Sequence, residues 1–181
     1  MLPDGELWYN YYSKLPETET GVWQTRNLTD LEQVVYIRGG AILPILQHEG
    51  CMALFDCIEN PIALEIYLDA SGEAAASMYV DDGLTTEYLH SPDTGSALVD
   101  FVYSSNTLKS TNSAKTKYEF GKDQLVALIT IYGLGQEPSA VTTATSGHLD
   151  FTYDAKVDAL SIDATKEKIA LDGVDIEIAF D

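Results

Sequence analysis

Near its end the chain reads Val174-Asp175-Ile176-Glu177-Ile178-Ala179-Phe180, so that Val174, Ile176, Ile178 and Phe180 alternate with Asp175, Glu177 and Ala179. Side chains along a strand point to opposite faces in turn, and this spacing predicts a strand with one face on a core and the other in water. Short runs rich in β-branched and aromatic residues predict further strands at 63–68, 76–80, 97–103, 125–132, 149–153 and 159–163. An aromatic strand is expected near the start, within "LPDGELWYNYY", and "YIRGGAILP" at 36–44 reads as a strand with a tight bend.

Turn signals separate these runs: Asp4-Gly5, Ser71-Gly72, Asp82-Gly83, Ser146-Gly147 and Asp172-Gly173. Helical periodicity is almost absent, with one helical turn possible at 28–33 ("LTDLEQ") and a polar loop expected at 110–117 ("STNSAKTK"). Strand after strand at this spacing predicts an all-β chain, an antiparallel β-sandwich rather than a parallel sheet.

Composition narrows the function. The 181 residues allow one large or two small domains, and 45% hydrophobic residues suffice for a core. Against 10 basic side chains stand 29 acidic ones, a net charge of −19, so no nucleic acid or anionic membrane surface is an expected partner. No apolar run reaches the length of a spanning helix. Met1 is followed at once by a turn signal and an aromatic strand, the pattern of a piece of a longer protein. Asn27-Leu28-Thr29 is a glycosylation sequon, which favours the secretory pathway. Cys51 and Cys57 form either one small loop disulfide or two free thiols. His48 lies near them, but His90 and His148 are scattered, so the spacing of a zinc site is missing and no metal or cofactor is expected.

Three features carry candidate chemistry. Asp81 and Asp82 stand side by side in "MYVDDGLTTEY". Glycoside hydrolysis needs carboxyl groups about 5 to 10 Å apart across a sugar, whereas neighbours on a strand point apart. Asp81, Asp82 and Gly83 therefore read as a structural turn, with a cation or ligand contact as the lesser alternative. In "GLGQEP" at 133–138 two glycines follow a strand, but the third glycine and the helix of a dinucleotide loop are missing. Trp8, Tyr9, Tyr11, Tyr12 and Trp23 form an aromatic group that can serve as core, as a domain interface or as stacking faces for sugars. Arg38 is a candidate ion-pair partner for a neighbouring domain.

Taken in order, several segments resemble the C-terminal end of the α-glucosidases of glycoside hydrolase family 31. "LPDGELWYNYYS" resembles that family's segment just beyond the catalytic barrel, and "VVYIRGGAILP" its Arg-Gly-Gly strand. "ALEIYLDASGEAAASMYVDDGLTTEY" resembles its aliphatic strand, turn and Asp-Asp-Gly hairpin; "NTLKS", "ITIYGLGQEPSAVT" and "DAKVDALSID" follow in the same order. Two positions depart from the pattern: Asn10 stands where the family has aspartate, and small hydroxyl residues replace bulkier ones around 84–86. The resemblance implies the last strands of a proximal β domain at 1–48 and a complete distal β-sandwich at 49–181, with a junction near 92 as the alternative. It also implies that the family's catalytic carboxylates lie in a (β/α)8 barrel outside these residues, so none maps here. The barrel is then the expected partner, with carbohydrate as a possible second one. The expected compartment is the secretory pathway, lysosomal or extracellular.

Overall fold

The computed structural model describes residues 1–29, 33–53, 56–58, 60–120, 124–144 and 147–181. The helical turn expected at 28–33 and the Ser146-Gly147 turn fall partly outside the described residues. Fourteen strands and two four-residue helices are seen among them. β1 (Trp8–Asn10) and β2 (Tyr36–Arg38) form a two-stranded antiparallel ribbon. The other twelve are β3 (Ala41–Leu46), β4 (Ile62–Tyr67), β5 (Ala74–Asp81), β6 (Ser96–Ser104), β7 (Thr107–Asn112), β8 (Leu125–Tyr132), β9 (Ala140–Thr143), β10 (Gly147–His148), β11 (Phe151–Asp154), β12 (Ala159–Asp163), β13 (Ile169–Ala170) and β14 (Asp175–Ala179). They run in the order β10-β9-β14-β7-β6-β5-β3-β4-β8-β12-β11, with β13 beside β8. This ribbon of strands curls upon itself as a β-sandwich around one core.

The alternation read from the sequence is the alternation of burial. In β6, Ala97, Val99, Phe101 and Tyr103 point inward while Leu98 and Val102 face out. In β14, Ile176 and Ile178 are buried between exposed Asp175, Glu177 and Ala179, and Val174 is buried just ahead of them. Ile42, Leu64, Ile66, Ile129, Ile131, Leu160 and Ile162 complete the interior from the other half of the sheet. Burying each such side chain contributes roughly 1.5–3 kcal/mol.

The structure departs from the sequence reading in three places. The sandwich is not wholly antiparallel: β4 pairs with β8 in parallel from Ile62 to Tyr67, and β3 meets β5 in parallel at Ala41 and Ala75. The segment 110–117 is not all loop, because Thr107–Asn112 is β7. Ser110 lies inside it and accepts the Val174 amide on its hydroxyl at 2.9 Å, which is how a polar residue is tolerated there. The link from β5 to β6 is not a tight hairpin but carries the short helices α1 (Glu87–His90) and α2 (Pro92–Gly95).

The ribbon and the main sheet meet at a glycine pair. β2 ends at Arg38, Gly40 takes φ +85, and β3 continues in the main sheet. The Gly39 amide reaches the Leu7 carbonyl at 2.7 Å and the Gly40 amide the Tyr67 carbonyl at 2.8 Å. Beneath this corner lies a second apolar cluster of Tyr9, Tyr67, Tyr132 and Ala159 on the outer face of β4 and β8. Tyr67 and Tyr132 are register partners on the parallel pair, and their rings stack at 4.9 Å. Tyr9 tilts over Tyr67 at 5.4 Å and donates its hydroxyl to the Leu68 carbonyl at 2.8 Å. Beside it the Lys14 ammonium donates to both Glu65 oxygens (3.2 and 3.0 Å) and to the Tyr67 hydroxyl (2.9 Å), which itself donates to Glu65 at 2.7 Å.

This arrangement yields two predictions. Gly133 has φ +91, and a β-carbon there would overlap the Tyr9 hydroxyl. Urea unfolding of Gly133→Ala should show a loss of more than about 1 kcal/mol, and Tyr9→Phe a loss of about 1 kcal/mol. The double variant should be more stable than the sum predicts, because removing the hydroxyl relieves part of the overlap. Burial first, then Asp158 and Asp69, push Tyr9 from 10.0 up to about 12, and burial likewise pushes Tyr103 and Tyr132 up to about 12. A raised folded value means stability complete below pH 10 and lost as pH climbs through about 12. An alkaline unfolding series should show that loss, with Tyr9→Phe less steep than wild type.

Candidate docking and sugar-contact site

The aromatic group of the first turns is split between inside and outside. Tyr9, 2% exposed, belongs to the interior cluster and presents no face to a ligand. Trp8 is half-buried, with its indole N–H donated to the Pro3 carbonyl at 3.2 Å. Tyr11 lies edge-on to Tyr12 at 5.3 Å and under the Lys14 ammonium at 4.4 Å. Tyr12 at 61% and Trp23 at 85% are open to solvent. Arg38 extends outward with Glu6 near its guanidinium, at 3.9 Å, an exposed pair of small energetic weight.

Asn10 explains how Tyr12 is turned out. Its side-chain oxygen accepts the amides of Tyr12 (2.9 Å) and Ser13 (3.1 Å), and its carbonyl accepts the Lys14 amide at 2.8 Å. Lys14 takes φ +62 and brings the chain back to pair with β1. The position where the family carries aspartate is thus a turn-building acceptor, which asparagine fills equally well.

Two shallow grooves adjoin each other, and the first borders this turn. One of about 340 Å³ is lined by Asn10, Tyr12, Ser13, Arg26, Leu28, Gln33 and Val34. The other, of about 390 Å³, shares Arg26, Leu28 and Val34 and continues to Met1, Leu2, Gln24 and Tyr36. Arg26 is held between them by Glu17 and lies over the Tyr36 ring at 5.5 Å. Leu15, Val22, Trp23, Leu28 and Val34 are exposed as well, so large apolar side chains recur at the surface of this part of the chain.

Asp81 and Asp82 are committed to their own loop. Asp81 accepts the Gly83 amide at 2.8 Å. Asp82 accepts the amides of Leu84 (3.1 Å) and Thr85 (3.0 Å) and the Thr85 hydroxyl (2.6 Å). Gly83 takes φ +63 where a β-carbon would overlap Ile58. The Thr85 hydroxyl and then the loop amides hold Asp82 below the usual carboxylate range, opposite to what a general acid needs. Among the described residues, Asp100 and Asp163 also shift downward, each through a neighbouring hydroxyl. In the 133–138 loop the Gly135 amide faces the Asp158 carboxylate at 2.8 Å, so that turn binds its own chain rather than a phosphate. No group of three metal-ligating side chains is found among the described residues. Cys51 and Cys57 are joined in a disulfide, with Cα atoms 5.7 Å apart.

Sequence reasoning missed Lys14, Glu65, Tyr67 and Tyr132. The available signal was that Tyr67 and Tyr132 each end a strand out of phase with its inward-facing residues, a mark of a second buried face.

No family model matches the chain. It is 32% identical over 139 residues to an α-glucosidase of Aspergillus oryzae, covering 76% of this chain and 13% of that protein. It is 30% identical over 172 residues to neutral α-glucosidase C of Macaca fascicularis, covering 92% of this chain and 22% of that one. Among solved structures, the glucosidase II α subunit with α3-Glc2 bound superposes with a TM-score of 0.73 at 19% identity, over 99% of this chain and 21% of that one. The chain therefore spans about an eighth to a fifth of the length of the relatives it matches. With collinear motifs, sequence similarity to α-glucosidases along most of its length and the same β architecture, the chain belongs to glycoside hydrolase family 31.

Proposed function

We propose that the chain is a non-catalytic, stabilising C-terminal region of a retaining α-glucosidase that acts on terminal α-linked glucose of maltose-like oligosaccharides or glycans. Its partner is the catalytic (β/α)8 barrel of the same protein, held through the face built by residues 8–38. The observation that carries this reading is the open apolar and aromatic surface around Tyr12, Trp23, Leu28 and Val34, with its paired grooves. Patches of this kind on a chain of net charge −19 fit a surface covered by another domain. Trp8, Tyr11 and Arg38 are further candidates for that interface.

Retaining hydrolysis needs two carboxyl groups about 5 Å apart, one with a raised pKa. The three shifted carboxyl groups described above all move the other way, which supports placing nucleophile and acid/base outside this region. We further propose a division into a proximal part at 1–48 and a distal sandwich at 49–181. That junction falls in the connection between β3 and β4, so the proximal part would lend β3 to the distal sheet. The Cys51–Cys57 bond supports a secretory-pathway enzyme, lysosomal or extracellular, since such bonds persist where the surroundings are oxidising.

A second reading, a carbohydrate-binding module, is favoured by the open indole of Trp23, whose flat face suits a pyranose ring. Two measurements separate the readings. The purified chain should turn over no chromogenic α-glucoside, and titration with maltoheptaose should release no heat. Saturable heat abolished by Trp23→Ala would establish the module instead. With barrel and β region expressed as separate chains, Trp23→Ala or Tyr12→Ala should weaken their association about tenfold, roughly 1.4 kcal/mol.

A further inference from the structure

Asn27-Leu28-Thr29 is the single Asn-x-Ser/Thr triplet in the sequence. All three residues are exposed, in a stretch without helix or strand pairing. Arg26 and Leu28, on either side of Asn27, line both grooves, and Asn27 lines neither. Asn27 is therefore open to solvent and lies beside the grooves without lining them. We propose that Asn27 is an N-glycosylation acceptor, its glycan standing beside the two grooves rather than in them. This rests on the secretory reading above, which the Cys51–Cys57 disulfide supports independently of the triplet.

The chemistry requires a lipid-linked diphosphate oligosaccharide and a transferase. The Asn27 side-chain nitrogen bonds to C1 of the first sugar, and the C1–O bond to the diphosphate breaks. The lipid diphosphate leaves with the bonding electrons, and the amide proton passes to a base of the transferase. Thr29 supplies the hydroxyl that the triplet requires, and serine can supply it equally.

The test sends the full 181-residue chain through the secretory pathway of a eukaryotic cell on a foreign leader, as wild type, Asn27→Gln, Thr29→Ala and Thr29→Ser. The wild type and Thr29→Ser should carry one glycan removable by peptide N-glycosidase, leaving aspartate at position 27 in the peptide mass. Asn27→Gln and Thr29→Ala should carry none. A bare Asn27 on secreted wild-type chain overturns the proposal, as does a glycan that survives Thr29→Ala. Because the leader imposes secretion, failure of the compartment reading cannot mimic failure of the site. That reading fails separately if Cys51 and Cys57 of the native enzyme react as free thiols.

Discussion

The Tyr9 ring over the stacked pair of Tyr67 and Tyr132 is the contact on which the arrangement of this molecule depends. A three-residue strand pair such as β1–β2 is too small to be stable alone. It holds its place because Tyr9 buries its ring on the outer face of β4 and β8 and satisfies its hydroxyl on Leu68. The Lys14–Glu65 pair reinforces the same seam while still partly open to solvent, so its share is smaller than the buried rings'. Gly133 is glycine because the Tyr9 hydroxyl occupies the space a side chain would need. The Gly39-Gly40 corner lets one continuous segment serve both the ribbon and the sheet.

This seam has a functional corollary. It uses Leu7, Tyr9, Lys14 and Ile37 for attachment and leaves Tyr12, Trp23, Leu28 and Val34 facing solvent. The segment is thus double-sided: one aromatic residue anchors it to the sandwich and its neighbours are presented outward. Asn10, Lys14 and the turn between them set which aromatic goes which way. The adjacent carboxylates Asp81 and Asp82 shape a loop far along the chain and bind its own amides.

Much of the sandwich was legible because a period of two is written plainly into β6 and β14, where every inward residue is apolar. Pairing direction was not, since a parallel strand and an antiparallel one share that period; β4 against β8 is fixed by contacts distant in sequence. β7 escaped notice because its inward Ser110 reads as polar until the Val174 amide is seen to satisfy it. β10 and β13, two residues each, are too short to leave a pattern. At the candidate site the residues were legible but their orientation was not. Nothing in "WYNYY" tells a buried tyrosine from an exposed one, because the answer lies with Tyr67 and Tyr132 more than fifty residues away.

Hydrogen exchange of main-chain amides tests the central claim most directly, that ribbon and sandwich are one unit joined through Tyr9. The amides of Tyr11, Gly39 and Gly40, bonded to the carbonyls of Val35, Leu7 and Tyr67, report on the ribbon and its corner; the Leu68 amide, bonded to Tyr132, reports on the sheet. The account predicts that all four exchange with the same opening free energy and the same dependence on denaturant. Exchange at Tyr11 and Gly39 through a smaller opening that leaves Leu68 protected would contradict it.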